Sequence, residues 1–599
     1  MLRSAIITCV LLCLAFIGKA QNHLEKKISV NFHDIRLETV LDSISHGSGF
    51  FFSYNSTIVP ADSLVTVKVE NKTIRQVLDY MFRGAFEYKE VENHVIIRRP
   101  DAGQYYYVTG YITDEVTGEK LRDVSVFESH QLVASLTNEQ GYFKLRLKDK
   151  IPAVSLNISK SWYSDTAVHI KTGVSQEIKV SIKPKNFELD SVVIGGSTKV
   201  ESTWWGKLFL SSKQRVQSIN LNKFFVETPI QGSIVPGLGS HGKMSGQVTN
   251  SVSMNLLAGY SAGVAGVEVG GLVNIVKNDA MYVQACGLAN IVGGKFAGFQ
   301  GAGIHNNVLG NFVGVQTSGI SNVVRKDLVG LQAAGIANLT IGKVTGGQFS
   351  GIINASIDSF VGFQGAGIVN SSVKEFEGVQ AAGVVNFSAG KVKGVQITGI
   401  LNVAATDMEG VQASGILNYA TRVKGVQFGL VNVADTSSGV GVGLVSFVLK
   451  GYHKMSISTN EVVPYEVSVK TGTHWLYNIF SAGIDPSKNN KVYMFGIGWG
   501  SELPISNRFS INPELTGHGV YLGSWEELNS MVKLSASLNA HFGRYISVFA
   551  GPSFVMYHDN NMPKAVGYAD KVLPNGYKRN NYSTNLSSWV GWNAGITIF

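Results

Sequence analysis

The sequence predicts a mainly β protein with a short α+β segment near its N-terminus, and three observations support this fold class. A nine-residue motif recurs between Gly266 and Ser446 with a period of 16 residues. After it, residues 452–599 repeatedly alternate apolar and polar side chains, as strands do. Before it, residues 21–100 mix helical and strand patterns. A chain of 599 residues is therefore expected to hold smaller domains ahead of a large β region.

Each repeat consists of a strand and a charged turn. Copies such as Gly314–Asn322 and Gly410–Asn418 share glycine, glutamine and asparagine at fixed places, and only the last copy slips, with Gln427 arriving after 15 residues. Alternation puts varied apolar residues on one face and the repeated polar residues on the other. The candidate residues for lining a lumen or forming ladders are Gln300, Gln316, Gln332, Gln364, Gln380, Gln396, Gln412, Asn306, Asn322, Asn338, Asn370, Asn386, Asn402 and Asn418.

Two architectures accommodate these strands. A transmembrane barrel needs strands of about 9–11 residues, apolar outward and polar inward, separated by turns, and the motif fits that description. A solenoid stacks its coils so that equivalent Gln and Asn side chains form ladders, but connectors such as Ser388–Lys393 alternate poorly. The sequence therefore predicts a large antiparallel transmembrane β-barrel that includes the 16-residue repeats at 266–446, with a β-solenoid plus a smaller barrel as the alternative.

The N-terminus has the pattern of a secretory signal peptide. An apolar run from Ala5 to Ile17 follows Arg3, and small residues precede Gln21, which predicts a signal at 1–20. Cys286 is then the one cysteine left, so no internal disulfide is expected. It occupies a repeat position that is Ala302 in the next copy, which favours a small buried residue over a reactive thiol.

Residues 21–100 show two amphipathic helices between strands, and Thr73 and Gln76 have capping-box spacing. The stretches Phe50–Asn55 and Asn93–Ile97 resemble the short N-terminal (STN) domain that secretins and TonB-dependent receptors share. This resemblance implies a periplasmic, non-catalytic domain that contacts other proteins.

Residues 101–186 lose the helical period and read as short strands joined by turns, which predicts a small β-sandwich. Its glycines, acidic residue and apolar positions resemble the carboxypeptidase regulatory-like domain; the matching positions are Gly110, Asp114, Gly118, Leu121, Gly141 and Phe143. The resemblance implies no peptidase chemistry.

Residues 187–225 are expected to form a linker, and 226–599 the β-barrel region. The strand at Trp589–Phe599 ends on a terminal phenylalanine, in which it resembles outer-membrane barrels. The repeats and this tail together resemble a surface-repeat family of Gram-negative envelope proteins. The resemblances imply a Gram-negative outer-membrane protein, with outer-membrane lipid as one partner and with residues 21–186 in the periplasm contacting periplasmic or inner-membrane proteins.

Enzyme motifs are absent from the sequence: no metalloprotease helix, nucleophile elbow, phosphate loop or Cys/His cluster occurs. No catalytic residue, metal or cofactor is therefore predicted, and the net charge of +9 is spread too evenly to indicate nucleic acid. We expect a non-enzymatic outer-membrane barrel with a structural, transport or pore role. The alternative is a surface-exposed repeat protein acting as an adhesin or glycan-binding module.

Overall fold

The computed structural model describes residues 23–82, 86–98, 105–149, 151–153, 155–185, 199–526, 528–543, 545–560, 565–570, 572–573 and 576–598. The predicted signal peptide at 1–20 and the terminal Phe599 lie outside these residues. The described chain divides into two compact units. The first holds the residues up to 185 together with Glu201–Thr249 and Tyr260–Ala262, and the second holds 199–200, Asn250–Gly259 and the chain from Gly263 onward.

The first unit begins with the predicted α+β domain. A short 3-10 turn, His23–Glu25, precedes the helices Leu37–Ser48 and Ile74–Phe82 and the strands Lys27–Arg36, Phe51–Tyr54, Leu64–Thr73, Glu87–Val91 and His94–Arg98. The strands form one two-stranded and one three-stranded sheet. The predicted capping box is present, because the backbone N–H of Gln76 donates to Thr73 Oγ1 at 3.2 Å and that of Thr73 donates to Gln76 Oε1 at 3.1 Å.

The β-sandwich follows, as predicted. Its sheets contain the strands Tyr105–Asp114, Tyr142–Lys148 and Gln176–Ile182 in one layer, and Ser125–Glu128, Val133–Leu136, Ser155–Ser159 and Thr166–His169 in the other. Alternate residues of both layers fill the core, where Val108, Phe143 and Leu156 are buried.

The described part of the predicted linker at 187–225 contains helical segments. A 3-10 turn, Val200–Ser202, precedes the helices Trp204–Phe209 and Ser212–Asn220. The second helix forms because Ser211 and Gln214 make a reciprocal capping box. Beyond it lie the strands Val226–Val235 and Leu238–Gly239, the 3-10 turn Gly242–Gln247 and the strands Val248–Asn255 and Ala258–Ser261.

The repeats form a β-solenoid in the second unit. Each coil contributes one longer and one shorter strand; the longer strands pair in parallel with one another from coil to coil, and so do the shorter strands. The longer strands are Gly263–Gly270, Ala280–Cys286, Phe296–Ala302, Phe312–Ser318, Leu328–Ala334, Val344–Ser350, Phe360–Ala366, Phe376–Ala382 and Val392–Thr398. The shorter strands are Val273–Val276, Ala289–Val292, His305–Val308, Ser321–Val324, Ala337–Thr340, Ile353–Ser356, Val369–Ser372 and Val385–Ser388. The strands of the last coils are Leu401–Ser414, Leu417–Phe428, Val431–Ser437, Val440–Val442 and Val445–Val448.

This arrangement corrects the prediction that the repeats belong to a transmembrane barrel; the alternative, a solenoid with a smaller barrel, is the observed fold. Each residue pairs with its equivalent one coil later, so that Gln316 faces Gln332 and Asn322 faces Asn338. Antiparallel pairing in a barrel would place non-equivalent residues of neighbouring repeats opposite each other. The glutamines, and likewise the asparagines, would then no longer lie next to their equivalents. The poorly alternating connector, such as Ser388–Lys393, holds the end of one short strand, one turn and the start of the next long strand.

A separate closed barrel follows the solenoid, and within the described chain it has eight long strands. These are Tyr452–Asn460, Tyr465–Gly472, Tyr477–Asp485, Val492–Gly500, Phe509–Tyr521, Asn529–Phe542, Ile546–His558 and Leu586–Ile598, with short additions at Leu503–Pro504 and Asn580–Asn581. Neighbours are antiparallel, and the first strand pairs with the last at Ser456 and Thr597. Among the described residues, no helix is long and apolar enough to cross a membrane.

Coil stacking predicts tolerance to the loss of one full repeat. Deleting residues 361–376 joins Phe360 to Glu377, which keeps every later residue in register and lets Gln380 meet Gln348. We expect a folded protein with unchanged β-sheet circular dichroism. The control deletes only 361–368 and removes one long strand, and it is expected to misassemble. Loss of structure in the full-coil deletion with none in the half-coil deletion would contradict the stacking.

Candidate functional site

The predicted glutamines form one continuous hydrogen-bonded column inside the solenoid. Each side-chain amide donates through Nε2 to Oε1 of the glutamine one coil earlier, as from Gln316 to Gln300 at 2.7 Å and from Gln380 to Gln364 at 2.8 Å. All seven predicted glutamines lie in this column and are fully buried: Gln300, Gln316, Gln332, Gln364, Gln380, Gln396 and Gln412. They face the closed interior of the coils and line no lumen.

The predicted asparagines form a second column, which runs in the opposite direction. Asn338 Nδ2 donates to Asn354 Oδ1 of the following coil at 2.9 Å and also to the backbone carbonyl of Phe349 at 2.6 Å. The same pair of bonds recurs along the column. The members predicted from sequence are buried with it: Asn306, Asn322, Asn338, Asn370, Asn386, Asn402 and Asn418. Each asparagine therefore joins two coils and also fixes the turn between the strand rows.

A column of apolar side chains completes the interior. Phe360 and Phe376 stack with ring centroids 5.1 Å apart, and Phe296 and Phe312 do so at 5.3 Å. Residues of the short strands, such as Val308 and Val324, belong to the same buried cluster. Cys286, half-buried at the other end of its long strand, has a thiol whose pKa burial raises to about 12. It therefore stays protonated, which agrees with the small structural residue expected from its repeat position.

The first glutamine position of the solenoid holds Glu268 in place of glutamine. The direction in which the glutamine side chains donate their hydrogen bonds explains this substitution. Its carboxyl group accepts hydrogen bonds from Gln284 Nε2 at 2.7 Å and from Ser253 Oγ and Asn255 Nδ2, each at 3.1 Å. A carboxylate accepts without needing an acceptor in return. Glu268 thus receives the donor end of the glutamine column where no earlier glutamine exists to do so.

Glu268 should make solenoid stability depend on pH. Burial raises its pKa from 4.5 to about 7, against the opposing hydrogen bonds from Gln284, Ser253 and Asn255. The folded state thus holds the proton more tightly than the unfolded chain. This contribution to stability is full below about pH 4.5 and is lost as pH rises to about 7, by about 3 kcal/mol. Thermal unfolding across this range should show the loss in the native sequence and a flatter profile in Glu268→Gln. Equal slopes in both proteins would contradict the assignment.

One end of the barrel interior is filled by polar and charged side chains, and the other end holds an apolar cluster that includes Met494, Val555 and Trp589. Lys454 Nζ lies 2.8 Å from Glu502 Oε2, and Lys470 pairs with Glu514, which also accepts from the Tyr477 hydroxyl at 2.7 Å. These lysines are almost completely buried. Eight strands enclose a space that side chains can fill. Sequence reasoning missed this network, although Lys454, Lys470 and Glu514 stand in strands whose alternate residues are apolar; Glu502 directly precedes the short strand Leu503–Pro504.

The outside of the barrel is apolar. Outward side chains along the strands are mostly exposed and uncharged, as with Phe495, Ile497 and Trp499; on the third strand, Asn478 is covered by the solenoid. Others on this surface are Ile457, Val467, Val469, Leu515, Val532, Leu534, Leu538, Val548, Phe554, Val590, Trp592 and Ile596. This inversion, with charges within and apolar residues outside, is typical of a barrel surrounded by lipid.

The last coil of the solenoid packs against the outer surface of the barrel. Asn478 Nδ2 donates to the carbonyls of Gly443 at 2.8 Å and Leu444 at 3.0 Å, and Trp499 Nε1 donates to Gly443 at 3.1 Å. Near the start of the first barrel strand, the ring centroids of His453 and Phe447 lie 4.9 Å apart. The terminal coil is thereby covered, as a solenoid end must be.

The first unit holds its α+β domain and its sandwich together through ion pairs. Lys144 Nζ lies 2.7 Å from Asp79 Oδ1, and Glu87 accepts from Tyr107 at 2.8 Å and from Arg146 at 3.0 Å. Between them lies a cleft of about 820 Å³ lined by apolar, tyrosine and polar side chains. In the described residues, no group of three His, Cys, Asp or Glu side chains is placed to hold a metal.

Comparison with known proteins identifies one domain. Residues 108–194 match the family model described as the CarboxypepD_reg-like domain, which confirms the family predicted for the β-sandwich. No curated protein matches the chain. The predicted likenesses to the short N-terminal domain and to the surface-repeat family stay predictions.

Proposed function

We propose that this chain is a non-enzymatic outer-membrane protein of a Gram-negative bacterium, anchored by its eight-stranded barrel. One observation carries the proposal: the barrel strands direct uncharged apolar side chains outward and ion pairs inward. A bilayer requires that spanning backbone groups be bonded internally, and a closed barrel meets this requirement. The small barrel, the export signal predicted at 1–20 and the resemblance of the last strand to outer-membrane barrels all support this location.

Anchoring suits the barrel better than transport. The paired lysines and glutamates, with Tyr477 and Asn512, occupy the lumen near the solenoid, and Asn512 Nδ2 donates to the Tyr477 hydroxyl at 3.1 Å. A pore needs a lumen open to water, as much larger barrels have. The proposed role is therefore structural: the barrel holds the solenoid and the N-terminal domains at the membrane.

The N-terminal domains are proposed to contact periplasmic or inner-membrane proteins. Support comes from the matched CarboxypepD_reg-like domain, the predicted short N-terminal domain and the charged seam that joins them in one unit. The adhesin alternative was motivated by Gln and Asn side chains available to sugar hydroxyls. Those side chains are fully buried and bonded to one another, so a glycan would need a different surface.

Membrane insertion of the full chain tests the proposal. We expect the protein to resist carbonate extraction from outer-membrane fractions and to show heat-modifiable gel mobility. Leu534→Lys places a charge on the outer barrel surface at a cost of roughly 2–4 kcal/mol and should reduce the heat-modifiable fraction, whereas the matched Leu534→Ala should not. Carbonate release of the native protein would overturn the proposal.

A further inference from the structure

The solenoid has an uncharged apolar edge along its whole length. We call it the apolar edge and define it by the residue that follows the glycine at the turn from each long strand to the next short strand. Ten of its members are between 38% and 50% exposed: Leu272, Ile304, Ile320, Ile336, Ile352, Ile368, Ile400, Ile416, Leu430 and Leu444. Leu288 and Val384 continue the row with lower exposure. A contiguous apolar surface of this extent marks an interaction site.

Charged side chains gather on the opposite edge of each coil. Lys374 pairs with Asp358 at 2.6 Å, and Lys391 and Lys424 both pair with Glu409, at 2.9 and 3.2 Å. In the coils from Gly266 to Ser388, from the second residue before each column position to the end of the short strand, Glu268 is the sole Asp, Glu, Lys or Arg, and it is buried. Exposed apolar residues also lie on this edge, at Ile341, Ile357 and Val373, so the two edges differ in charge: one carries the ion pairs and the other is uncharged.

The uncharged part is long enough to reach through one leaflet of a bilayer. Six residue steps lead from its start, such as Gly314, to the apolar edge at Ile320, and at about 3.3 Å each they span roughly 20 Å, against about 15 Å for half of a hydrocarbon core of about 30 Å. Stacked coils spaced by about 4.8 Å give the edge a length of roughly 50 Å.

The backbone of the apolar edge is already hydrogen-bonded within the solenoid. The N–H of Ile320 donates to the carbonyl of Ile304 at 3.1 Å, and that of Ile336 donates to Ile320 at 3.0 Å. The Asn column satisfies the carbonyls of the adjoining long strands. Backbone N–H and C=O groups that contact acyl chains must be hydrogen-bonded within the protein, because lipid offers no hydrogen-bond partner.

The apolar edge also joins the outer surface of the barrel. Its last turn, at Gly443 and Leu444, is bonded to Asn478 and Trp499, and Trp499 lies on the barrel exterior with Ile497. One continuous apolar surface therefore runs from the barrel onto the solenoid. A solenoid surrounded by water would not require an apolar surface that continues onto the barrel exterior.

We infer that the apolar edge lies among the acyl chains of one leaflet of the bilayer that the barrel crosses. The inference rests on the proposed function, since it takes the barrel to be transmembrane. The solenoid then lies along the membrane, with its charged edge at the headgroups, and does not project freely into water. Its ligand is the acyl-chain region of the bilayer, and a second copy of the chain or another protein is an outcome of the test.

Site-directed spin labelling of the full protein in phospholipid vesicles tests this placement. Single cysteines are introduced in a Cys286→Ala background by Ile352→Cys and Ile368→Cys on the apolar edge, Lys374→Cys on the charged edge and Leu534→Cys on the barrel exterior. Collision with oxygen reports lipid exposure, and collision with a water-soluble nickel chelate reports water exposure. All four positions are on the surface, so the labels should leave the fold intact.

We expect labels at 352 and 368 to match that at 534, with oxygen contact several-fold greater than nickel contact, and the label at 374 to show the reverse. Nickel contact at 352 and 368 with oxygen contact at 534 would overturn the inference and leave the transmembrane barrel standing. Nickel contact at 534 would overturn the proposed function itself. Protection of 352 and 368 from both reagents would show that a second copy covers the edge and would also overturn the lipid placement.

Discussion

Replacing Gly362 by alanine is expected to open the coil stack locally and to lower the stability of the solenoid by about 2–4 kcal/mol. Gly362 has φ of +135°, a conformation that side chains rarely adopt. A Cβ built there lies 1.9 Å from the carbonyl oxygen of Gly346 in the preceding coil, so relief requires movement of backbone. Hydrogen exchange of peptides from the neighbouring coils should reveal the opening, together with a lower midpoint of thermal unfolding.

Gly365→Ala is the matched control in the same strand. Its added Cβ meets the ring atoms of Phe363 and Phe349, which can shift, and other copies already have alanine at this place, as at Ala381. We expect a change within about 0.5 kcal/mol. The second coil shows what accompanies a side chain at the glycine position. Tyr282 stands there with φ of +67°, and the pairing of its strand, Ala280–Cys286, with the preceding long strand omits the Gly266–Tyr282 pair. Equal destabilisation by Gly362→Ala and Gly365→Ala would refute the steric argument.

The sequence predicts the strands of the repeat but leaves their partners open. Alternation within Gly410–Asn418 identifies a strand and separates the glutamine face from the apolar face. Alternation is identical for a barrel strand and for a solenoid strand, because both have a period of two. The information that distinguishes them is the pairing of Gln412 with Gln396, sixteen residues apart, which is a tertiary property.

The assignment of inside and outside depends on the same distinction. In a barrel, the glutamines and asparagines would face a wet lumen and the varied apolar residues would face lipid. In the solenoid, amides at identical places stack at the coil spacing and satisfy one another, so the polar face is the buried one. Repetition itself was the signal: Gln300 and Asn306 recur unchanged because each must match its copy, whereas outward residues such as Phe299 vary freely.

Glu268 and the lysines of the barrel could be noticed in the sequence but not interpreted from it. Glu268 stands out as a charge inside the motif. Its meaning depends on the direction in which the amides donate, since a carboxylate fits only where the column ends on an acceptor. Lys454 and Lys470 likewise need the closure of the barrel to bring Glu502 and Glu514 near them from distant positions in the sequence.

Replacing Gln364 by leucine is expected to cost about 2–5 kcal/mol, because it breaks the glutamine column on both sides. Gln348 Oε1 loses the donor that now lies at 2.9 Å, and Gln380 Nε2 loses the acceptor at 2.8 Å. Both amides stay fully buried, where water cannot replace the missing partner. Chemical unfolding of the full-length protein, followed by circular dichroism, measures the loss.

Two further variants separate hydrogen bonding from packing. Gln427 ends the column with a single bond of this kind, to Gln412 Oε1 at 2.8 Å, so Gln427→Leu should cost about half as much. Gln364→Glu keeps the side-chain shape. Its ionised form faces Gln348 Oε1 without a donor, whereas its protonated form can donate there, so this variant should regain stability as pH falls. Equal losses in all three variants, without pH dependence in Gln364→Glu, would mean that packing and not the amide column holds the coils together.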